Sequence, residues 1–181
     1  MQEIQFEEYP KENFKSDSIV ILLHGIGADG FDLLPLAKYW SKKLINTKFY
    51  SLHAPFEYNL GGIGKQWFDL QDRDQTRILN EIELIKPMLI NFFNKKIEEN
   101  RSSYEKLILV GFSQGTMVAL NIGISIKEKI KSILGYSGGV ILSKSGKINI
   151  ASKPSICLIH GEKDEVVPSR MMITSKSIFK E

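Results

Sequence analysis

The segment LVGFSQGTMVAL, residues 109 to 120, decides the fold. An apolar run ends at Gly111, a short turn follows, and a second apolar segment begins after Gln114. This pattern is typical of a buried strand that turns sharply into a helix, with Ser113 at the apex. The residues two before and two after such a serine must be small, and Gly111 and Gly115 meet that requirement. We therefore predict that the Ser113 hydroxyl projects above the edge of a sheet.

The same pattern, G-x-S-x-G, occurs a second time as GYSGG at residues 135 to 139. The segment TMVALNIGIS that follows the first motif is compatible with a helix, whereas GVILSKSGKIN in and after the second motif has no helical period. The first motif therefore has the strand, turn and helix expected around a nucleophile. We predict that Ser137, in the second motif, is a turn residue without chemistry.

The rest of the chain alternates short apolar runs with longer amphipathic segments, which is the pattern of βα units. The apolar runs predict parallel strands at residues 18–23, 47–52, 106–112, 131–137 and 155–160. Helices are expected at residues 31–44, 76–100, 114–126 and 169–180, the second of them bent near Pro87. The prediction is one domain, residues 1–181, of the α/β class: a three-layer sandwich around a mostly parallel sheet.

The composition of the chain indicates which kinds of binding partner and which cellular compartment to expect. The 24 basic and 21 acidic residues are interspersed and leave a net charge of only +3, so we expect no nucleic-acid partner. No apolar stretch approaches the ~20 residues that span a bilayer, which predicts no integral membrane segment. The acidic N-terminal residues do not resemble a signal peptide, and a single cysteine, Cys157, cannot form an internal disulfide. We expect a cytoplasmic protein.

A serine nucleophile needs backbone N–H groups that bind the negatively charged oxygen of the intermediate. The strand-to-helix turn supplies one from Gln114, at the start of the predicted helix. The second is expected from a loop after an early strand. The loop LLHGIGADG, residues 22 to 30, is rich in glycine, and the N–H of Ile26 is the candidate. A dinucleotide-binding turn is the less favoured alternative for this loop.

Four motifs in chain order resemble those of the carboxylesterase, phospholipase and acyl-protein thioesterase family of the α/β-hydrolase fold. They are LHGIGADG, HAPFEYNLGGIGKQWFDL, GFSQG and IHGEKDEVVP, and together they span nearly the whole chain. The resemblance implies that Ser113 is the nucleophile and Asp164 the acid of a catalytic triad. It likewise implies an oxyanion hole formed by the N–H groups of Ile26 and Gln114. The implied substrate is a small acyl ester or an acylated protein, with no cofactor and no metal.

The resemblance also implies that Trp67 and Phe68 line the acyl or leaving-group side of the site. Asp164 can be argued from the sequence itself, because it follows the apolar strand SICLIH in a turn. It therefore lies at the same sheet edge as the nucleophile, in the chain order serine, acid, histidine of this fold. Glu162 and Glu165 are its rivals, and a solvated turn acid without a catalytic role is the alternative.

The general base has no clear candidate. It should follow the acid, but residues 165 to 181 contain no histidine. The three histidines of the chain are His24 in the oxyanion loop, His53 before Ala54, and His160 at the end of a strand. Compared with the family, we expect the chain to lack the last strand, the histidine loop and the last helix, on the order of 30 residues.

Three hypotheses follow for the activity. The first is a serine hydrolase of esters or thioesters that takes its base from a longer natural product or from a partner subunit. The second is a non-catalytic homologue that binds acyl groups or a partner chain, with dimerisation through an exposed sheet edge as the expected sign. The third is a remnant without a biochemical role.

Overall fold

Six strands form one mixed sheet in the computed structural model, which describes residues 3–12, 14–59, 61–71 and 74–180. In chain order the strands are β1 (Phe6–Tyr9), β2 (Ser18–Leu23), β3 (Thr47–Leu52), β4 (Phe56–Glu57), β5 (Lys65–Gln66), β6 (Leu107–Phe112), β7 (Ser132–Tyr136) and β8 (Ser155–Ile159). The helices are α1 (Leu34–Trp40), α2 (Gln75–Glu99), α3 (Gln114–Ser125) and α4 (Arg170–Phe179), with a 3₁₀ turn at Tyr104–Lys106. The sheet has the order β1-β3-β2-β6-β7-β8, and β4 and β5 form a separate hairpin.

The five predicted strands are the five parallel strands of this sheet, and the α/β class is confirmed. Strands buried on both faces of a parallel sheet are apolar along their whole length. In β2, SIVILL, five consecutive residues are buried. Because these strands are parallel, β2, β6, β7 and β8 all end at one edge of the sheet, the edge that carries Ser113.

The helices cover the two faces of the sheet unequally. On one face, α2 and α3 contribute most of the larger core, and α3 is buried along nearly its whole length. On the other face, the seven residues of α1 contribute Ala37 to a smaller core with Val20, Leu22, Phe49 and Val110. The prediction of a helix over 31–44 was too long, because after Trp40 the chain continues in turns.

Helix α2 is continuous through Pro87. It begins at the predicted position, where the Asp74 side chain accepts a hydrogen bond from the N–H of Arg77 at 2.9 Å. The bend near Pro87 remains a prediction. Among the described residues, no helix combines the length and the apolar character needed to cross a membrane.

Candidate active site

Ser113 lies in a strained turn between β6 and α3. Its φ of 50° and ψ of −113° are left-handed values that a serine rarely adopts. The Ser113 N–H donates to the carbonyl of Tyr136, at the end of the neighbouring strand, over 2.9 Å. The strand, turn and helix predicted around this serine are therefore present, and its side chain is half-exposed at the carboxyl edge of the sheet.

The glycines on either side of Ser113 are required by close backbone contacts. A Cβ atom at Gly111 would overlap the start of α3, at Gly115 and Thr116. A Cβ at Gly115 would overlap the carbonyl oxygen of Leu23, the last residue of β2. Both glycines therefore serve the steric role that the sequence predicts, and the second one brings the elbow against the start of the oxyanion loop.

The predicted oxyanion loop runs directly beside Ser113. A Cβ on Gly25 would lie 3.5 Å from the Cβ of Ser113 and 3.0 Å from the Phe112 ring. Within the described chain, the N–H groups of Ile26 and Gln114 donate no hydrogen bond to any other group. The loop that carries Ile26 thus runs beside the serine and Gln114 follows the serine directly, and the binding of an anionic oxygen by these two N–H groups stays a prediction.

The three glycines of this loop, Gly25, Gly27 and Gly30, have the G-x-G-x-x-G spacing of a dinucleotide-binding turn. Such a turn opens directly into a helix whose N-terminus binds the pyrophosphate. Here the loop instead pairs with the β4–β5 hairpin, because the N–H of Gly27 donates to the carbonyl of Lys65 at 2.8 Å. Since α1 begins only at Leu34, the structural context of the dinucleotide reading is absent from this loop.

Asp164 is held as an anion in the turn after β8. Its Oδ1 accepts the N–H groups of Val167 at 2.9 Å and Val166 at 3.0 Å. These two hydrogen bonds, that of Val167 foremost, lower the pKa of the Asp164 carboxyl. The rivals Glu162 and Glu165 are exposed, whereas Asp164 is mostly covered. Of the three acids in this turn, Asp164 is the one fixed at the sheet edge.

The loop that contains the second G-x-S-x-G motif packs against the turn that carries Ser113. Ser137 is also left-handed, with a φ of 48°, but no helix follows it. A Cβ on Gly138 would lie 2.8 Å from the carbonyl oxygen of Ser113, so the glycine allows this loop to pack on the elbow. The Ser137 hydroxyl also helps to lower the pKa of Asp164. Sequence reasoning missed this link, because it depends on how closely β7 and the turn after β8 approach each other.

His24 is buried and fully engaged in hydrogen bonds. Its Nε2 accepts the N–H of Ala54 at 3.0 Å, so the proton of the neutral ring lies on Nδ1 and is donated to the carbonyl of Gly25 at 2.6 Å. Burial lowers the pKa of the imidazole, which keeps the ring neutral. This histidine has no nitrogen left to accept the proton of Ser113.

The other two histidines also face different partners. The Nδ1 of His53 accepts the N–H of Gly30 at 3.2 Å, and its Nε2 lies 3.5 Å from a carboxylate oxygen of Glu7. The Nε2 of His160 donates to the carbonyl of Val167 at 2.7 Å and lies 3.5 Å from the Oδ2 of Asp164, whereas its buried Nδ1 has no hydrogen-bond partner among the described residues. Within the part of the chain that the structure describes, none of the three imidazoles makes a hydrogen bond to Ser113. The sequence alone could not show this, because it gives no ring orientation.

Trp67 and Phe68 follow β5 and are both fully buried. Their backbone is bonded to the side chain of Gln114, and the Trp67 indole donates to the carbonyl of His24. Contact with substrate therefore stays a prediction for this pair. The structure shows that Trp67 is hydrogen-bonded to both segments that carry the predicted oxyanion donors, and that Phe68 is hydrogen-bonded to Gln114.

A mostly parallel sheet with a left-handed serine between strand and helix, two free N–H groups beside it and an ionised acid beyond the next strand defines an α/β hydrolase. The model of the phospholipase/carboxylesterase family matches residues 8–181. The chain therefore belongs to this family of hydrolases, which confirms the resemblance.

Individual relatives agree with the family. Acyl-protein thioesterase 1 of Gibberella zeae is 30% identical over 178 residues, which cover 89% of this chain and 75% of that protein. Acyl-protein thioesterase 1 of Saccharomyces cerevisiae is 28% identical over 181 residues, or 90% of this chain and 77% of that one. The crystal structure of esterase PE8 superposes with a TM-score of 0.90 at 32% identity and covers 99% of this chain and 84% of its own. A Bacillus cereus carboxylesterase shares the fold, with a TM-score of 0.76 at 17% identity over 98% of this chain and 79% of its own.

Proposed function

We propose that this chain hydrolyses carboxylic esters or thioesters through an acyl-enzyme on Ser113. The observation that carries the proposal is the left-handed serine between β6 and α3, with the N–H groups of Ile26 and Gln114 free beside it. Family membership supports the reaction class, and the relatives named acyl-protein thioesterase 1 support an acylated protein or small acyl ester as substrate.

The proposed reaction has two displacement steps. The Ser113 Oγ attacks the acyl carbonyl carbon while its proton passes to a general base. The carbonyl oxygen becomes negatively charged and accepts hydrogen bonds from Ile26 and Gln114. The intermediate collapses, the bond to the leaving group breaks, and the alcohol or thiol departs with that proton. Water then attacks the acyl-serine by the same route and releases the carboxylic acid.

The base in this scheme is a histidine oriented by Asp164, as the serine, acid, histidine order of the fold requires. Because none of His24, His53 and His160 makes a hydrogen bond to Ser113 in the described part of the chain, we place the base outside the residues described, for example in a partner subunit. Turnover by these 181 residues alone is then impaired. Without the base, only the oxyanion hole and substrate binding accelerate the reaction, which costs several orders of magnitude in rate.

Apolar side chains at the edge of the site favour an acyl group over a polar substrate. Phe112, directly before the serine, and Phe31, after the oxyanion loop, are 46% and 57% exposed. Exposed aromatic rings beside a reactive group provide contact area for an aliphatic chain. Trp67 and Phe68 are fully buried, so a lining role for them requires that substrate binding uncover their rings.

An alkyl fluorophosphonate, followed by intact-mass measurement and peptide mapping, tests the nucleophile. With imidazole added as an external base, we expect one adduct on Ser113, absent in Ser113→Ala and retained in Ser137→Ala, the matched serine of the second motif. Added imidazole is expected to accelerate hydrolysis of a p-nitrophenyl ester more in the presence of wild type than of Ser113→Ala, because it supplies the missing base to Ser113; the Ser113→Ala sample accounts for the hydrolysis that imidazole causes by itself. Labelling of Ser137, or an unlabelled wild type, contradicts the proposal.

A second proposal is that the chain pairs with another copy of itself, which also suits a non-catalytic, acyl-binding homologue. Among the described strands, β8 ends the sheet, and its alternate residues Ser155, Cys157 and Ile159 are exposed. An unpaired strand edge with apolar side chains is a template for pairing with a second chain. A cytoplasmic location remains part of this proposal, supported by the single unpaired cysteine.

A further inference from the structure

We infer that the side chains of Gln114, Trp67 and His24 form a buried polar brace that positions both N–H groups of the oxyanion hole. The inference rests on the proposed function, since it concerns the same site. All three side chains are 0% exposed, so they act on the reaction only through the backbone that they hold. They are positioning residues and do not touch the substrate.

Gln114 connects the start of α3 to the segment after β5. Its Oε1 accepts the backbone N–H of Trp67 at 2.8 Å, and its Nε2 donates to the carbonyl of Phe68 at 2.7 Å. A side-chain amide provides an acceptor and a donor at the same time, which neither a carboxylate nor an alkyl side chain of similar size does. The residue whose backbone N–H is one oxyanion donor is thus fixed by its own side chain.

Trp67 carries the brace to the oxyanion loop. Its indole Nε1–H donates to the carbonyl of His24 at 2.9 Å, and the two rings lie 5.5 Å apart between centroids. His24 immediately precedes Gly25 and Ile26, which form the part of the loop beside the serine. The Trp67 indole therefore links the segment after β5, which Gln114 holds, to the oxyanion loop, which supplies the second N–H donor.

His24 sets the direction of the Ile26 N–H through a single peptide unit. The imidazole Nδ1–H donates to the Gly25 carbonyl at 2.6 Å, and this carbonyl belongs to the same planar peptide group as the Ile26 N–H. In a trans peptide the two bonds point in opposite directions, so a hydrogen bond that fixes the carbonyl also fixes the N–H. The Ala54 N–H on Nε2 holds the ring in the tautomer that this requires.

If these side chains served only the fold, breaking their hydrogen bonds would lower stability, as it does for any buried hydrogen bond, but would not slow the reaction of Ser113. Trp67→Phe removes one donor and keeps an aromatic ring, and Gln114→Met removes both hydrogen bonds at similar size. Asn100→Leu is the matched control. Asn100 is a buried amide that bonds the Tyr50 hydroxyl at 2.8 Å, just after α2 and at the opposite edge of the sheet.

The first measurement is the second-order rate of fluorophosphonate labelling, with the same concentration of imidazole as external base for every protein and at a temperature well below each unfolding midpoint. We expect Trp67→Phe and Gln114→Met to label Ser113 about ten-fold or more slowly than wild type, because losing one oxyanion donor alone costs roughly 100-fold or more. Asn100→Leu should label at the wild-type rate while its unfolding midpoint falls. Equal rates in all four proteins would overturn the inference and leave a structural role only.

The second measurement does not depend on the chemistry. In ¹⁵N relaxation experiments, the amides of Ile26 and Gln114 should have order parameters near 0.85 in wild type and the control, and below about 0.6 at Ile26 in Trp67→Phe. An unlabelled wild type with this pattern contradicts the proposed function and supports the brace. Unchanged order at Ile26 in both variants overturns the brace, whatever the labelling shows.

Discussion

At the scale of single residues, the site depends on one backbone contact that allows no side chain. Gly115 lies against the carbonyl oxygens of Leu23 and His24, and neither backbone can move away without disturbing β2. We expect Gly115→Ala to lower the free energy of unfolding by about 1–3 kcal/mol, as for other overpacked sites. It should also slow labelling of Ser113, because it separates the elbow from the oxyanion loop.

Gly161→Ala is the control for this substitution, since a Cβ there meets nothing within 4 Å. Urea unfolding of both variants gives the comparison. If Gly115→Ala is as stable as Gly161→Ala, the close approach between the elbow and β2 is not required for the fold.

The buried imidazole of His24 predicts a dependence of stability on pH. Burial lowers its pKa from 6.5, the Gly25 carbonyl and the carboxylates of Asp29 and Asp32 oppose the shift, and His53 adds to it. The unfolded chain binds this proton more readily, so the contribution is complete well above pH 6.5 and is lost as the pH falls below that value.

Urea unfolding between pH 5 and 8 should show this loss in wild type and less of it in His24→Gln. The ¹⁵N shifts of the His24 ring give a direct reading. They should remain those of the neutral Nδ1–H tautomer at pH 6.5, where a free imidazole is half protonated. A half-protonated His24 at that pH contradicts the prediction.

The sequence predicted the steric part of the site and missed its hydrogen-bonded part. Gly111 and Gly115 follow from hard-sphere contacts within one strand-to-helix turn, which are local. The partners of the Gln114 side chain are 47 and 46 residues away along the chain, and nothing in GFSQG specifies them. Fully buried polar groups must be paired, but the sequence alone does not show which groups will be buried.

At the scale of elements, the long, strongly periodic segments were predicted to within a residue or two at each end. Strands β2 and β3 and the start of α3 coincide with their predicted limits. Strand β1 was missed because FEEY is polar and lies at the edge, where it pairs only with β3 among the described strands. Its place in the sheet depends on a tertiary partner rather than on a pattern of its own.

Pro87 gives a prediction at this scale, because it interrupts the hydrogen bonds of α2 at an exposed position. Proline in a helix interior lowers the free energy of unfolding by about 3 kcal/mol relative to alanine. Its restriction of the unfolded chain offsets roughly 0.4–1 kcal/mol of that loss. We therefore expect Pro87→Ala to raise the free energy of unfolding by about 2–2.6 kcal/mol, measured by urea denaturation.

Leu84→Ala is the control in the same helix, because Leu84 is 75% exposed and its backbone is unaffected. Its effect should stay within about 0.5 kcal/mol. A Pro87→Ala protein that is no more stable than wild type would mean that the local distortion at Pro87 helps α2 to pack on the sheet.

At the scale of the whole molecule, an apolar groove lies beside an exposed edge of the sheet. The face that α1 covers only in part has a groove of about 500 Å³, lined by apolar side chains of β2, β6, β7 and β8 together with Trp40 and Leu44. The groove reaches the exposed edge at Cys157. Contiguous apolar surface beside an unpaired strand favours association over a free monomer.

We therefore expect light scattering after size exclusion to show a mass that rises from one chain toward two as the concentration increases. Ile159→Lys places a charge on the β8 edge, where Ile159 is 49% exposed, and should return the protein to a monomer because an edge lysine opposes strand pairing. Ile173→Lys is the control: this residue of α4 is 58% exposed and is not part of the strand, so the substitution should leave association unchanged. A wild type that is monomeric at every concentration, or an equal effect of both lysines, contradicts pairing through β8.

Because neither substitution touches Ser113 or the oxyanion loop, fluorophosphonate labelling of the Ile159→Lys monomer also shows whether a partner chain supplies the base. If it does, labelling slows together with dissociation, and if the rate is unchanged the partner is not the source.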